Sequence, residues 1–192
     1  MTSPEPRARN AASTRQAILR SAIRHFARAG YDGVGVRDIA ADAGVTAMMV
    51  NRYFGSKEQL FAEAVEASFA PPAIVGESSQ SIPHEIAAAL VARTNPNAEP
   101  LEPFLIMLRS VSNPRAAAII RAAIERHVGH RLARQLPRAG RAIRSEVVMA
   151  VISGILLMRR VVDTRAFGEA DSDELTSILE AVFAAIIETP LP

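Results

Sequence analysis

The chain has no cysteine and no tryptophan, and Lys57 is the one lysine among its 22 basic residues. Without cysteine there can be no disulfide, no thiol nucleophile and no cysteine-ligated metal. The near-exclusive use of arginine reads as a codon bias toward GC-rich DNA. Long apolar runs are also missing: Val147 to Met158 is the longest, is broken by Ser153 and Gly154, and falls short of the roughly 20 residues that span a bilayer. The polar, Pro- and Arg-bearing N-terminus carries no apolar signal segment. A soluble, cytoplasmic protein with no membrane partner is expected. Neither sign of charge dominates, since the net charge is +2, so whole-chain charge does not argue for nucleic acid. No nucleophile motif, Gly-rich phosphate loop or metal signature is present, so catalytic residues, metal and cofactor are all expected to be none.

What is present suits a folded protein. At 49% hydrophobic and 22% charged the chain can bury a core and is not compositionally disordered. Its 192 residues hold one large or two small domains. The stretch VRDIAADAGVTAMMVNRYFGSK, Val36 to Lys57, carries the most information. Val36, Ile39, Ala40 and Ala43 recur at helical spacing, and Gly44 follows where a helix ends in the left-handed conformation. Val45 turns inward, and Thr46 is a good N-cap for a second helix from Ala47 to Phe54. Two helices joined by such a turn form either a core hairpin or a helix-turn-helix, whose second helix enters the major groove.

The flanks extend this unit. Thr14 to Gly30 places Ile18, Ala22 and Phe26 on one row with Leu19, Ile23 and Ala27 beside it, a stripe able to pack on both short helices. Ser13 to Gln16 and Ser56 to Gln59 both read as capping boxes, the second opening a helix to about Phe69. Residues 12–70 therefore form one unit, with the hairpin at about 35–54. Residues 1–11 show no periodicity and are expected to be a disordered tail. Arg7 and Arg9 in it suit either a minor-groove arm or a functionless terminus. From Met1 to Phe54 eight arginines face four acids, a surplus that suits phosphates, although Arg20, Arg24 and Arg28 read as solvated surface.

The ordered residues AILRSAIRHFARAGYDGVGVRDIAADAGVT and VNRYFGSKEQLF resemble the N-terminal DNA-binding domain of TetR-type (TetR/AcrR) transcriptional regulators. The resemblance covers the first third of the chain. It implies an all-α homodimer, usually a repressor, that binds a palindromic double-stranded operator. A second helical domain would bind a small-molecule effector and dimerise.

The DNA-binding candidates are Arg37, Thr46, Ala47, Met48, Asn51, Arg52, Tyr53 and Lys57. Thr46 and Lys57 stand at helix starts suited to phosphate. Asn51 can bond an adenine edge and Arg52 a guanine, while Ala47 and Met48 offer apolar contact to thymine methyls. Arg37 and Tyr53 match family positions near the groove and a phosphate. Three residues depart from the family pattern: Gly35 replaces a Thr or Ser cap, Met48 a frequent Gly, and Asn51 a frequent Tyr. They leave the fold intact and the base preference open.

The remaining residues, 71–192, are expected to form the larger helical ligand-binding and dimerisation domain. Helices are expected at Pro83–Arg93, Leu101–Val111, Pro114 to about Gln135, Ala142–Val162 and, capped by Asp171, up to about Glu188. The last two carry more apolar residues than one packing face needs, and two such helices from each of two chains can form a four-helix bundle. Interface candidates are Val151, Gly154, Ile155, Met158, Leu175, Ile178, Leu179, Val182, Phe183 and Ile186. The resemblance places a pocket among Phe104, Met107, Ile120, Ile124, His127 and Met149, mostly apolar, hence suited to an apolar effector. His127 and His130 lack the further ligands a metal needs. A ligand-responsive regulator leads, with a constitutive nucleoid-type DNA-binding protein second and an enzyme last.

Overall fold

The apolar row expected along the first helix is buried as a row: Ile18, Ala22 and Phe26 have no exposed surface. This computed structural model describes residues 6–69, 81–95, 98, 101–129, 133, 136 and 139–190. The described secondary structure is entirely helical. The residues gather into two compact units, 1–71 with 101–124, and 72–100 with 125–192.

The first unit contains α1 (Pro6–Ala29), α2 (Val36–Asp42), α3 (Ala47–Phe54), α4 (Lys57–Phe69), α6 (Glu102–Ser110) and α7 (Pro114–Ile124). Helix α1 begins earlier than expected. Residues 6–11 of the anticipated tail are helical, and Ser13 lies inside α1 instead of capping it. Pro6 fits this start, because its fixed φ and missing N–H suit a first helical turn. Residues 1–5, and the side chains of Arg7 and Arg9, lie outside the described residues.

The core joins α1 to Ile39 and Ala40 of α2, Val50 and Phe54 of α3, and Leu60, Phe61, Ala64 and Val65 of α4. Phe26 meets the edge of Phe61 at 4.9 Å between centroids, and Tyr31 meets Phe61 at the same distance. Ile106, Ala116, Ile120 and Ala123 complete this core. Helices α6 and α7 thus pack on the N-terminal unit, although they follow the loop at which a second domain was expected to begin.

The end of α1 is fastened to the end of α6. Arg109 Nη1 donates to the Ala27 carbonyl and, at 3.0 Å, to that of Arg28. The Tyr31 N–H donates to the buried Ser110 hydroxyl at 3.0 Å, and Asn113 Nδ2 to Asp32 Oδ1 at 2.9 Å. Gly30 makes this approach possible. Its φ is +69°, and a Cβ there would lie 2.1 Å from the Arg109 carbonyl oxygen. Asn113 also caps α7, its Oδ1 accepting from the Arg115 and Ala116 N–H groups at 3.0 and 3.1 Å, as the Asn-Pro pair suggested.

The second unit contains α5 (Ile82–Thr94), α8 (Arg141–Leu156), α9 (Arg165–Glu169) and α10 (Ser172–Glu188). π-helical turns at Glu125–Gly129 and Leu157–Val161 follow α7 and α8. The expected α-helix to about Gln135 therefore loses its regular ladder after Ile124. Gln135, like most of the loops at 70–83 and 94–100, lies outside the described residues. The short helix α9 had no counterpart in the sequence reading.

Helix α5 packs along α10, with Ile86, Ala87, Leu90 and Val91 on one side and Leu175, Leu179, Phe183 and Ile187 on the other buried. Asp171 caps α10 as expected, its Oδ1 accepting from the Asp173 and Glu174 N–H groups at 2.9 and 3.1 Å. At the far end the buried Arg144 of α8 donates to three carbonyls at the C-terminus of α10: Ile186, Ile187 at 3.1 Å, and Thr189 just past the last helical residue. Its Nε donates to Ala139 O at 3.2 Å. Arg160 treats α5 alike, reaching the Arg93 and Asn95 carbonyls at 2.9 and 3.0 Å.

Arg144→Ala should lower the unfolding free energy by about 2–3 kcal/mol, since a charged donor is lost and carbonyls are left unbonded. Arg144→Lys should recover only part, because an ammonium cannot fork across three acceptors. Urea denaturation measures both, and a loss under about 0.5 kcal/mol would refute the cap. The backbone bonds from Glu174 and Asp173 hold the Asp171 carboxyl below its ordinary 3.8. A depressed folded-state pKa adds stability above that ordinary value and loses it as pH falls through the folded one. Asp171→Asn keeps the cap but should flatten the pH dependence of melting temperature below about pH 4.

Candidate nucleic-acid interface

The turn between α2 and α3 is a Schellman end followed by a new cap. The Val45 N–H donates to Ala40 O at 2.9 Å and the Gly44 N–H to Ala41 O at 3.2 Å, with Gly44 at φ +69°. Ala40 lies in the core and Val45 packs against it, which fixes the chain's direction as it leaves α2. Thr46 then caps α3, its Oγ1 accepting from the Met49 N–H at 3.4 Å. Ser56 does the same for α4 through the Gln59 N–H at 3.1 Å. These short-range bonds set where each helix begins, and burial sets its rotation.

Val50 and Phe54 are 1% and 4% exposed. They anchor α3 so that Met48, Asn51 and Arg52 share the outward face, all exposed, with Met48 at 81%. Thr46 and Arg37 are exposed as well, while Ala47, Met49 and Tyr53 are half-buried and Tyr53 packs on the core. Met48, Asn51 and Arg52 thus share one outward face of α3, with Thr46 and Lys57 at the helix starts on either side of it in sequence and Arg37 at the start of α2. Gly35 takes the N-cap place of α2 in extended conformation and has no side chain with which to cap. The Asp38 carboxylate instead accepts the Gly35 N–H at 3.1 Å, completing one half of a capping box.

Lys57 has a structural partner that the sequence reading missed. Its Nζ stands 4.7 Å above the Tyr31 ring. Tyr31 is the last residue of the FARAGY segment, and a cation over an aromatic face is attracted to it. Burial, with the Glu58 charge second, pushes the Tyr31 phenol above its ordinary 10.0. Arg15 performs the comparable task on α3: its Cζ lies 4.7 Å over Phe54 while its Nη2 pairs with Glu63. Arg24 pairs with Asp42 at 2.5 Å, linking α1 to α2.

The pocket candidates are distributed over both units. Ile120 is part of the first core at 2% exposure, Met107 and Ile124 pack against it, and Phe104 is buried at 8%. His127 and Met149 are half-buried in the second unit. His130 lies outside the described residues.

The interface candidates divide by face. Leu175, Leu179 and Phe183 are 5%, 3% and 0% exposed. Their assignment to an intermolecular surface is corrected, because the chain's own second core buries them. Ile178 and Val182 point outward at 54% and 38% exposure, and Ile186 is half-buried. On α8 the outward row is Ile143, Val147, Ala150 and Gly154, with Val151 and Ile155 beside it half-buried, and Met158 is exposed in the π-helical turn that follows. A Cβ at Gly154 would meet nothing within 4 Å. No helix among the described residues is long and apolar enough to cross a membrane.

A capped, outward-facing second helix held on a three-helix support defines a helix-turn-helix DNA-binding protein. Residues 18–64 match the family described as bacterial regulatory proteins, tetR family, and residues 80–187 match the Tetracyclin repressor-like C-terminal domain. The chain belongs to the TetR family of transcriptional regulators. Over 53 residues it is 40% identical to the HTH-type transcriptional regulator BetI of Agrobacterium fabrum, a match spanning 28% of this chain and 26% of BetI. A TetR-family regulator of Streptomyces coelicolor A3 is similar in structure at TM-score 0.55 and 25% identity, covering 92% of this chain and 95% of the other. The multidrug binding protein EbrR complexed with ethidium aligns at TM-score 0.65 and 23% identity, covering 93% and 99%.

Removing the Lys57 ammonium should weaken binding to every DNA sequence alike. In a fluorescence titration across salt concentrations, Lys57→Ala should lower the slope of log affinity against log salt by about one. An unchanged slope and affinity would show that Lys57 serves only Tyr31.

Proposed function

We propose that this regulator is a repressor that binds a palindromic operator as a homodimer and leaves it when an apolar small molecule binds. The observation that carries the reading is the pair of apolar rows left outward, one on α8 and the turn that follows it, the other on α10. Ile143, Val147 and Met158 are 56%, 40% and 36% exposed, alongside Ile178 and Val182. Exposed apolar rows on two long helices are what a two-fold helical interface covers, with Gly154 permitting close approach. Two-fold symmetry supplies two copies of α3, which then read successive major grooves of one palindrome. The protein would act in the cytoplasm, where its DNA lies.

The DNA-contacting set in this reading is Arg37, Thr46, Ala47, Met48, Asn51, Arg52, Tyr53 and Lys57. EbrR shares the fold and was crystallised with ethidium, which makes flat aromatic compounds the first class to screen, on likeness of fold alone. Effector binding would change the spacing of the two recognition helices. It can shift the balance only by its differential affinity for the two states. A constitutive DNA-binding protein shares every feature of the first unit, so release of the operator by a small molecule separates the two readings.

Light scattering of the purified chain at micromolar concentration should give twice its 20.6 kDa mass. Val147→Glu with Ile178→Glu should give monomers that keep the helical circular dichroism spectrum and lose operator binding. A wild-type monomer would overturn the dimer and the palindrome with it.

A further inference from the structure

We propose that Met48 reads the 5-methyl group of one pyrimidine in each operator half-site. The protein's preference at that base pair is then a preference for the methyl itself. The proposal rests on the reading of α2 and α3 as the DNA-binding surface, which the first step of the test checks separately.

A single exposed apolar residue is ordinary on a protein surface. What distinguishes Met48 is where the fold holds it. Val50 and Phe54 are sealed in the core, so α3 cannot rotate to take Met48 inward. Thr46 and its bond to the Met49 N–H fix the helix start, leaving Met48 in the first turn, where recognition helices approach base edges. Asn51 and Arg52, three and four residues on, share its face and are exposed. They can serve the polar groups of the groove. Met48 offers no hydrogen-bond donor and a thioether that accepts only weakly. Among the groups that base pairs present in the major groove, the pyrimidine 5-methyl is the apolar one.

Shape and flexibility agree with this assignment. The methionine side chain is unbranched and polarizable, and it adapts to an irregular apolar partner. At 81% exposure nearly all of its surface is available for burial against DNA. The recognised chemistry is the methyl, which thymine and 5-methylcytosine both carry at the same ring position.

The test starts from a duplex selected by the full-length chain from a random-sequence pool. Its thymines are then replaced by deoxyuridine, one symmetric pair at a time, and affinity is read by fluorescence anisotropy. At one position wild type should bind about fourfold more weakly for each methyl removed. Met48→Ala should bind the thymine and uracil duplexes equally, and circular dichroism should show it folded. Placing cytosine at that position and then methylating its C5 should strengthen wild-type binding about fourfold for each methyl added and leave Met48→Ala unchanged. If uracil at every position leaves wild-type affinity intact, or if Met48→Ala keeps the uracil penalty, the proposal is wrong. If the pool yields no bound duplex, the DNA-binding reading of α2 and α3 fails first, and the proposal falls with it.

Discussion

Carbonyl groups in the last turn of a helix have no partner within it, and this chain supplies several of those partners from arginine. Arg109 bonds the end of α1, Arg144 the end of α10, and Arg160 the end of α5. Each guanidinium brings positive charge to the negative end of a helix dipole and forks across more than one acceptor. The geometry is demanding, because the donor must come from another element at fixed height and direction. Each bond therefore fixes one helix end against a neighbouring helix. In the first unit, the position of α1 determines where Phe26 meets Phe61, and that aromatic contact helps seat α4. Lys57 begins α4 and stands over Tyr31, so the placement of a candidate phosphate contact depends on the same packing.

Features determined by neighbours in sequence were legible in the sequence, and those determined by distant residues were not. Gly44, Thr46 and Ser56 act within a few residues, and each does in the structure what its type and spacing suggested. The buried row of α1 was readable for the same reason, since helical spacing alone fixes which residues share a face. The arginine caps were not readable. Arg109 and Arg28 are 81 residues apart, and nothing near either marks the bond. The start of α1 was missed because Ser13 made an attractive local cap while Pro6 made an equally acceptable start.

Helix α10 shows a second kind of limit. Its residues are apolar over a wide arc, so periodicity showed that there was too much apolar surface for one face. It could not show which part the chain's own core would take. Packing against α5 decided that, burying Leu175, Leu179 and Phe183 and leaving Ile178 and Val182 outward. Which residues of α3 face outward was more legible than which residues would line a pocket, for a related reason. An outward face on a short, capped helix follows from local rules, whereas a pocket is made by several distant segments together.

The first unit is discontinuous along the chain: residues 1–71 are completed by 101–124. On the ribosome, the helix-turn-helix emerges well before the segments that finish its core. Until α7 has left the exit tunnel, α1 and α4 lack the cover of Ile106, Ala116, Ile120 and Ala123. Exchange of parts between regulators faces the same boundary. A hybrid cut after residue 71 would separate α1 from the arginine that bonds its end. A hybrid that keeps the native support of the reading helix must also carry α6 and α7.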